Sequence, residues 1–188
     1  MRNSVRANIE LGAQIAIAIA VLVVSGVLVK RLLFPRPPNA ANMPRISVGE
    51  RLNVSGADWK QNGKSLVFFL NKDCHYCTTS APFYRQLIEE VRNRNVKALA
   101  ILPNPIEEAK AYVRSVDLPI EDIRSGLLSS YNISGTPTVV FVNSEGIVRR
   151  VWFGAATGHE MEMREQVLAL IDEGSSAEIQ LKQQVGRR

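Results

Sequence analysis

The sequence is poor in the residues that build disulfide frameworks and metal sites. It has two cysteines and two histidines among 188 residues. Two cysteines cannot form the network of disulfides that stabilises small secreted domains. A structural zinc site needs four ligands, and the chain has no second Cys-x-x-Cys beside Cys74-His75-Tyr76-Cys77. The pair therefore fits a working dithiol.

Long basic blocks are also missing, although the net charge is +5. Lysine and arginine are spread along the chain, and no block of them is interleaved with aromatic residues. Nucleic-acid binding is therefore not expected, and the charge fits a solvated surface with some membrane-flanking residues. Apolar residues make up 46% and charged residues 22%, which is ordinary for a folded protein.

The N-terminal part contains one long run without charge, from Leu11 to Val29, behind a polar flank over residues 1–10. A helix needs roughly 20 apolar residues to span a bilayer. A cleaved signal peptide has a shorter apolar core of about 7–15 residues and a small-residue cleavage site, which Val27–Lys30 does not offer. We expect a retained transmembrane anchor over residues 11–33. The alternative is a helix in the core of a globular domain, which would have to be buried on every side because the run is apolar on all faces.

Residues 34–45 form a predicted linker, because proline occurs at positions 35, 37, 38 and 44. Such a segment favours an extended, semi-rigid spacer of about 3 Å per residue. Positive charge flanks the anchor on both sides, so the charge rule does not settle its orientation.

Residues 46–173 carry the pattern of an α/β domain, and residues 174–188 form a polar tail. Leu66–Leu70 is a continuous apolar run, which is typical of a central strand covered on both faces. Parallel strands come first and an antiparallel hairpin last. The predicted elements are the strand Leu66–Leu70, the helix His75–Arg92, the strand Asn95–Leu102, the helix Pro105–Val116, a short strand or coil with a helical turn over Ile123–Tyr131, the strand Thr138–Val142, the turn Asn143–Gly146, the strand Ile147–Phe153 and the helix Glu160–Ile171. Ile46–Glu50 and Leu52–Gly56 are predicted as short edge strands or a lead-in segment.

The Cys-x-x-Cys lies where the first strand meets the first helix, which indicates redox chemistry. Exposed N–H groups and the helix dipole at this point favour a thiolate at Cys74 and lower its pKa. Cys77 lies one turn further in, so Cys74 is predicted to attack and Cys77 to resolve. A protonated His75 would stabilise the thiolate, as would Lys72, whereas Asp73 would oppose it. His75 and Tyr76 could equally be spacer residues on an exposed turn.

A second feature, Ser134-Gly135-Thr136-Pro137-Thr138, opens a buried strand further along the chain. With the Cys-x-x-Cys unit, the hairpin at Asn143–Gly146 and Phe153-Gly154-Ala155, it resembles the thioredoxin superfamily over roughly Ile46 to Asp172. The resemblance is to the membrane-anchored TlpA/ResA-type thiol–disulfide oxidoreductases. It implies a thioredoxin-like fold, a central mixed β-sheet flanked by helices, preceded by one transmembrane helix.

The resemblance also implies site residues and partners. Pro137 would be a cis-proline beside the dithiol, and the backbone at Thr136 would pair with a substrate strand. The expected catalytic residues are Cys74, Cys77, His75 and Pro137, with Cys74 and Cys77 as the redox-active disulfide and with Thr136 and Tyr76 contacting substrate. No cofactor is expected. Protein thiols or disulfides and an upstream thiol electron donor would be the partners. The protein would sit in a bacterial inner membrane as a single-pass protein, with its domain facing the periplasm or cell exterior.

Five positions depart from the superfamily pattern. Asp73 replaces a tryptophan, His75-Tyr76 replaces Gly-Pro, Phe68 takes the place of a buried aspartate, and Ser80 takes the place of an acid. The usual proton acceptors for Cys77 are therefore missing, and the pattern does not assign the direction of electron flow. A reductase is expected because the family leans that way.

Three alternatives stay open at this point. A thioredoxin-fold metal-binding module for copper or zinc would use Cys74, His75, Cys77 and His159, and metal analysis of the reduced domain would detect it. Peroxidase chemistry on the same fold usually needs a threonine three residues before the reactive cysteine, where this chain has Asn71. A redox-inactive interaction domain would tolerate loss of Cys74.

Overall fold

The computed structural model describes residues 45–185 and places the side chains of residues 45–173. The predicted N-terminal flank, anchor and linker up to residue 44 lie outside the described residues. Between residues 45 and 185, no helix is both long and apolar enough to cross a bilayer. The elements in chain order are helix α1 (Trp59–Asn62), strand β1 (Ser65–Phe69), helix α2 (His75–Arg92), strand β2 (Lys97–Leu102), helix α3 (Ile106–Ser115), strand β3 (Asp122–Ser125), a 3-10 helix (Leu128–Tyr131), strands β4 (Thr138–Val142) and β5 (Val148–Phe153), and helix α4 (Glu160–Val185).

The five strands form one mixed sheet in the order β3-β2-β1-β4-β5. Strands β1, β2 and β3 run parallel, whereas β4 is antiparallel to both β1 and β5. The crossovers from β1 to β2 and from β2 to β3 move across the sheet in the same direction. Crossovers of one hand therefore place α2 and α3 on the same face. The predicted plan of parallel strands followed by a hairpin is confirmed.

Strand β1 lies at the centre, and all five of its residues are buried. Successive side chains of a strand point to opposite faces. Leu66 and Phe68 pack with the buried residues of α2, α3 and α4, whereas Val67 and Phe69 pack into a second core on the other face. The continuous apolar run therefore follows from burial on both sides.

The second face is covered mainly by residues 46–59 and the 3-10 helix. Residues 46–56 do not form strands beyond a single bridge between Arg51 and Ile147. Of the two predicted alternatives, short edge strands or a lead-in segment, the structure therefore has the lead-in segment. Trp59 is buried, and its Nε1–H donates to the Leu52 carbonyl at 3.0 Å. Gly146 lies against this indole: a Cβ there would come within 2.3 Å of Trp59 Cδ1, so the hairpin turn admits only glycine.

The helix boundaries match the prediction closely at one helix and differ at another. Helix α2 spans the predicted His75–Arg92 and runs through Pro82. Helix α4 continues to Val185, beyond the predicted end at Ile171. The residues after Gly174 are mostly strong helix formers, which accounts for the longer helix.

Candidate active site

The two cysteines lie at one end of the sheet, which we call the dithiol edge. It is formed by the last residues of β1, β2, β3 and β5 and the first residue of β4, namely Phe69, Leu102, Ser125, Phe153 and Thr138. A short loop leads from β1 to Cys74, and helix α2 begins at the next residue. Loops from several strands therefore converge around the start of this helix.

Cys74 is the N-cap residue of helix α2. Its backbone is extended, and its Sγ accepts the backbone N–H of Cys77 at 3.3 Å. This bond satisfies one of the N–H groups that a helix leaves without a partner in its first turn. The same position exposes the sulfur to the positive end of the helix dipole, which favours a thiolate.

The pKa of the Cys74 thiol lies below its ordinary value. Partial burial is the largest single influence and raises it, because burial disfavours the charged form. Hydrogen bonds from Cys77, from the Thr136 side chain and from the backbone amides of Cys77 and Tyr76 together outweigh burial. The result is a half-buried sulfur whose thiolate is held by donors on two sides.

Cys77 has the opposite character. Cys77 is 1% exposed, whereas Cys74 is half-buried, and neither cysteine is part of a disulfide. Burial, followed by its hydrogen bond to Cys74, raises the pKa of Cys77 to about 12. Cys77 is therefore a thiol at neutral pH, held beneath a more accessible sulfur that ionises more readily.

The Thr136-Pro137 segment faces the dithiol from the start of β4. The peptide bond between these residues is cis, which the sequence could suggest only through the family resemblance. The Thr136 carbonyl accepts the Cys74 Sγ–H at 3.2 Å, and the Pro137 carbonyl accepts the N–H of Gly154 at 2.9 Å. The structure thus brings Cys74, Cys77, Thr136 and Pro137 together.

Lys72, His75 and Tyr76 are charged or aromatic residues close to the cysteines in the chain. His75 and Tyr76 lie in the exposed first turn of α2, with their rings edge to face at 5.7 Å, and Tyr76 is 62% exposed. Lys72 was expected to support the Cys74 thiolate, but it forms an ion pair with Glu108 at 2.6 Å. The hydrogen bond to Glu108 raises the pKa of Lys72. Its charge is therefore compensated within the protein.

The structure adds buried hydroxyl groups behind the dithiol. Ser80 and Tyr84 are each 1% exposed on the same face of α2 as Cys77, and the Ser80 Oγ accepts the Ala156 N–H at 3.1 Å. Phe68, at the strand position where an acid was missing, packs edge to face on Tyr84 at 5.2 Å. The sequence could have indicated these buried hydroxyls, because Ser80 and Tyr84 are polar residues within the apolar stripe of helix α2.

Tyr112 of helix α3 completes this group, since its hydroxyl lies 3.4 Å from the Thr78 Oγ1. Burial raises the pKa of both Tyr84 and Tyr112, so both phenols stay neutral at physiological pH. Across the described part of the chain, no three or more His, Cys, Asp and Glu residues lie close enough to hold a metal ion. His159 lies 3.7 Å from Glu162 on helix α4.

The AhpC/TSA family model matches residues 42–151. A comparison with curated proteins gives no match. The structure is similar to the thioredoxin domain of a thiol-disulfide oxidoreductase from Bacteroides vulgatus, with a TM-score of 0.56 and 17% identity over 67% of this chain and 99% of that one. It is also similar to a thiol:disulfide interchange protein from Bacteroides sp., with a TM-score of 0.52 and 17% identity over 68% of this chain and 90% of that one. The predicted thioredoxin-like fold is confirmed.

The difference between the two thiols predicts selective alkylation. Iodoacetamide should modify Cys74 at least about tenfold faster than Cys77 at pH 7, because the thiolate is the reactive form. The Cys74 rate should rise with pH to a half-maximum at a lower pH than in the unfolded protein, because the fold lowers the pKa of Cys74. Mass spectrometry of timed samples measures both sites, and the unfolded protein, in which the sites should react alike, is the control. Equal rates in the folded protein would contradict this assignment.

Proposed function

This chain belongs to the AhpC/TSA family and is a thiol–disulfide oxidoreductase, and on that premise we propose that it exchanges disulfides with partner proteins through Cys74 and Cys77. One observation carries the proposal. A half-buried cysteine with a lowered pKa caps helix α2, and a buried cysteine with a raised pKa lies one turn behind it. This asymmetry assigns attack to Cys74 and resolution to Cys77.

The exchange proceeds in two steps. The Cys74 thiolate attacks one sulfur of a substrate disulfide, forms a mixed disulfide and releases the other substrate sulfur as a thiolate. Cys77 then loses its proton and attacks Cys74 Sγ, and the second substrate thiolate leaves and takes up a proton. The dithiol is oxidised to a disulfide, and the substrate disulfide is reduced to two thiols. An upstream thiol donor restores the dithiol by the reverse steps.

The surroundings of Cys74 support binding of an extended polypeptide. Thr136 presents its backbone beside the sulfur, and we assign substrate pairing to that backbone. Four exposed apolar side chains lie at or after the strand ends of the dithiol edge: Tyr76 (62% exposed), Ile106 (36%), Leu127 (69%) and Phe153 (45%). Such side chains are suited to contact with a partner protein. Tyr76 is the one nearest to Cys74 in sequence.

The reducing direction is supported by the partial burial of Cys74, which opposes the thiolate and limits how far the hydrogen bonds lower its pKa. Strongly oxidising dithiols stabilise the thiolate more fully, with a pKa near 3.5. The reducing direction is also that of the TlpA/ResA-type oxidoreductases, which the sequence resembles. His75 is proposed to add a positive charge near Cys74 when it is protonated, and Pro137 to shape the substrate side of the site.

The proposed setting is a bacterial inner membrane, with residues 11–33 as a single anchor and the domain facing the periplasm or cell exterior. The support is the uncharged run from Leu11 to Val29 followed by the proline-rich segment. Protein disulfides, on which such a dithiol acts, form and persist in oxidising compartments.

Substitution of each cysteine tests the exchange itself. Cys74→Ser should reduce a model protein disulfide no faster than the background, because the attacking sulfur is absent. Cys77→Ser should accumulate mixed disulfides with partners, because the resolving sulfur is absent. Non-reducing gels of both variants, with the double variant as the control, show the difference. Activity of Cys74→Ser equal to that of the unaltered protein would leave a metal-binding or interaction module as the better description.

The reduction potential of the Cys74–Cys77 pair tests the direction of electron flow. Equilibration of the Cys74–Cys77 pair against glutathione should give a reduction potential on the order of −230 mV or lower, in the range of thioredoxins and glutaredoxins. A potential above about −180 mV would place the protein among oxidants and isomerases and would contradict the reducing direction.

The membrane orientation can be tested by a reporter fused after Arg188. An enzyme that becomes active only after it forms disulfides should be active in this fusion, because its compartment is oxidising. A second reporter that is active only in the cytoplasm should be silent at the same position. The opposite pair of results would contradict the periplasmic placement and leave the dithiol chemistry unaffected.

A further inference from the structure

The buried serine of helix α2 connects the dithiol helix to the loop that faces it. Ser80 is 1% exposed, and its Oγ accepts the backbone N–H of Ala156 at 3.1 Å. Ser80 also shares a hydrogen bond with the Tyr84 hydroxyl one turn further along. A hydroxyl that is buried in an apolar core is costly unless it is bonded, so these partners define where Ser80 must lie.

Ala156 is the point at which the segment after β5 enters the core. Among residues 154–158 it alone is buried, and it packs with the residues of the helical face. Gly154 and Gly158, on either side, have φ of +87° and +85°, and a Cβ at either position would meet nothing within 4 Å. The segment is therefore open around Ala156, and the Ser80 hydroxyl is the side-chain acceptor that holds it against α2.

The same segment is bonded to the loop beside Cys74. The N–H of Gly154 donates to the Pro137 carbonyl at 2.9 Å, and the adjacent Thr136 carbonyl lies 3.2 Å from Cys74 Sγ. A continuous series of contacts thus leads from Ser80 through Ala156 and Gly154 to Thr136 and back to Cys74. Ser80 and Cys74 lie on the same helix, so the series closes on itself.

We propose that Ser80 is a positioning residue, which keeps Thr136 within hydrogen-bond distance of Cys74 by holding Gly154–Ala156 against helix α2. Ser80 does not touch the reacting sulfur and acts through the segment that it anchors. The proposal rests on the proposed function for its effect on disulfide exchange, but its effect on the Cys74 thiol is measurable without any substrate.

The direction of that effect follows from the contacts at Cys74. The Thr136 side chain favours the thiolate through its hydrogen bond, so loosening Thr136 should raise the pKa of Cys74. The other titratable groups around the sulfur keep their identities when Ser80 is replaced; they are Cys77 and Tyr84 on α2, Tyr112 and Glu108 on α3, and Lys72, Asp73 and His75 beside the helix start. Both phenols are neutral throughout the relevant pH range, because burial raises their pKa.

The experiment compares Ser80→Ala with a matched control in the full-length protein. Ser65→Ala removes an equally buried serine hydroxyl, 1% exposed, from the start of β1, at the far end of that strand from the dithiol. The midpoint of the pH dependence of Cys74 alkylation should shift upward by about half a pH unit in Ser80→Ala, which corresponds to a roughly threefold lower thiolate fraction below the midpoint. Ser65→Ala should keep the original midpoint.

Amide hydrogen exchange gives a second, independent measurement. In the unaltered protein the amides of Ala156 and Gly154 should both be protected, and in Ser80→Ala both should exchange faster. The proposal is overturned if Ser80→Ala and Ser65→Ala share one alkylation profile. It is equally overturned if the Ala156 amide of the unaltered protein exchanges at an unprotected rate, a result that needs no variant to fold. Alkylation reads the thiol directly, so these outcomes do not depend on whether protein disulfides are the substrates.

Discussion

The hydrogen bond from the Cys77 N–H to the Cys74 Sγ is the contact on which the site depends. It makes the reactive sulfur the cap of helix α2, so the residue that starts the helix also receives its dipole. The next turn of the same helix carries Cys77 into the core. One helix start therefore produces two thiols of opposite character, an accessible one with a lowered pKa and a buried one with a raised pKa.

The two-sided core holds that helix start in place. Strand β1 is buried on both faces, so its last residues cannot shift without opening one of the two cores. The antiparallel hairpin then brings Thr136 and Phe153 to the same edge as the end of β1. Rigid strands thus carry short loops to a single place, and exposed apolar side chains lie at or after the ends of several of these strands.

Several departures from the superfamily pattern become intelligible in the structure. Phe68 occupies the place of a buried acid and packs on Tyr84, so the region behind Cys77 holds neutral hydroxyls instead of a carboxylate. Lys72 was expected to act on Cys74, yet its charge is paired with Glu108, a residue of helix α3 that is far away in the chain. Local sequence could not reveal that partner, because the contact depends on how α3 packs.

The sequence alone predicts the strand–helix unit with its two cysteines, the span of helix α2 and the closing hairpin. These features depend on local signals: apolar periodicity, turn residues and the position of Cys-x-x-Cys. The surroundings of the sulfur instead depend on tertiary packing, namely the Thr136 carbonyl, the ion pair of Lys72 and the hydrogen bond from the Ala156 N–H to Ser80. Those contacts join residues that are distant in the chain, and their geometry follows from the packing of whole elements. The pKa of Cys74 therefore depends on the fold as much as on the Cys-x-x-Cys motif.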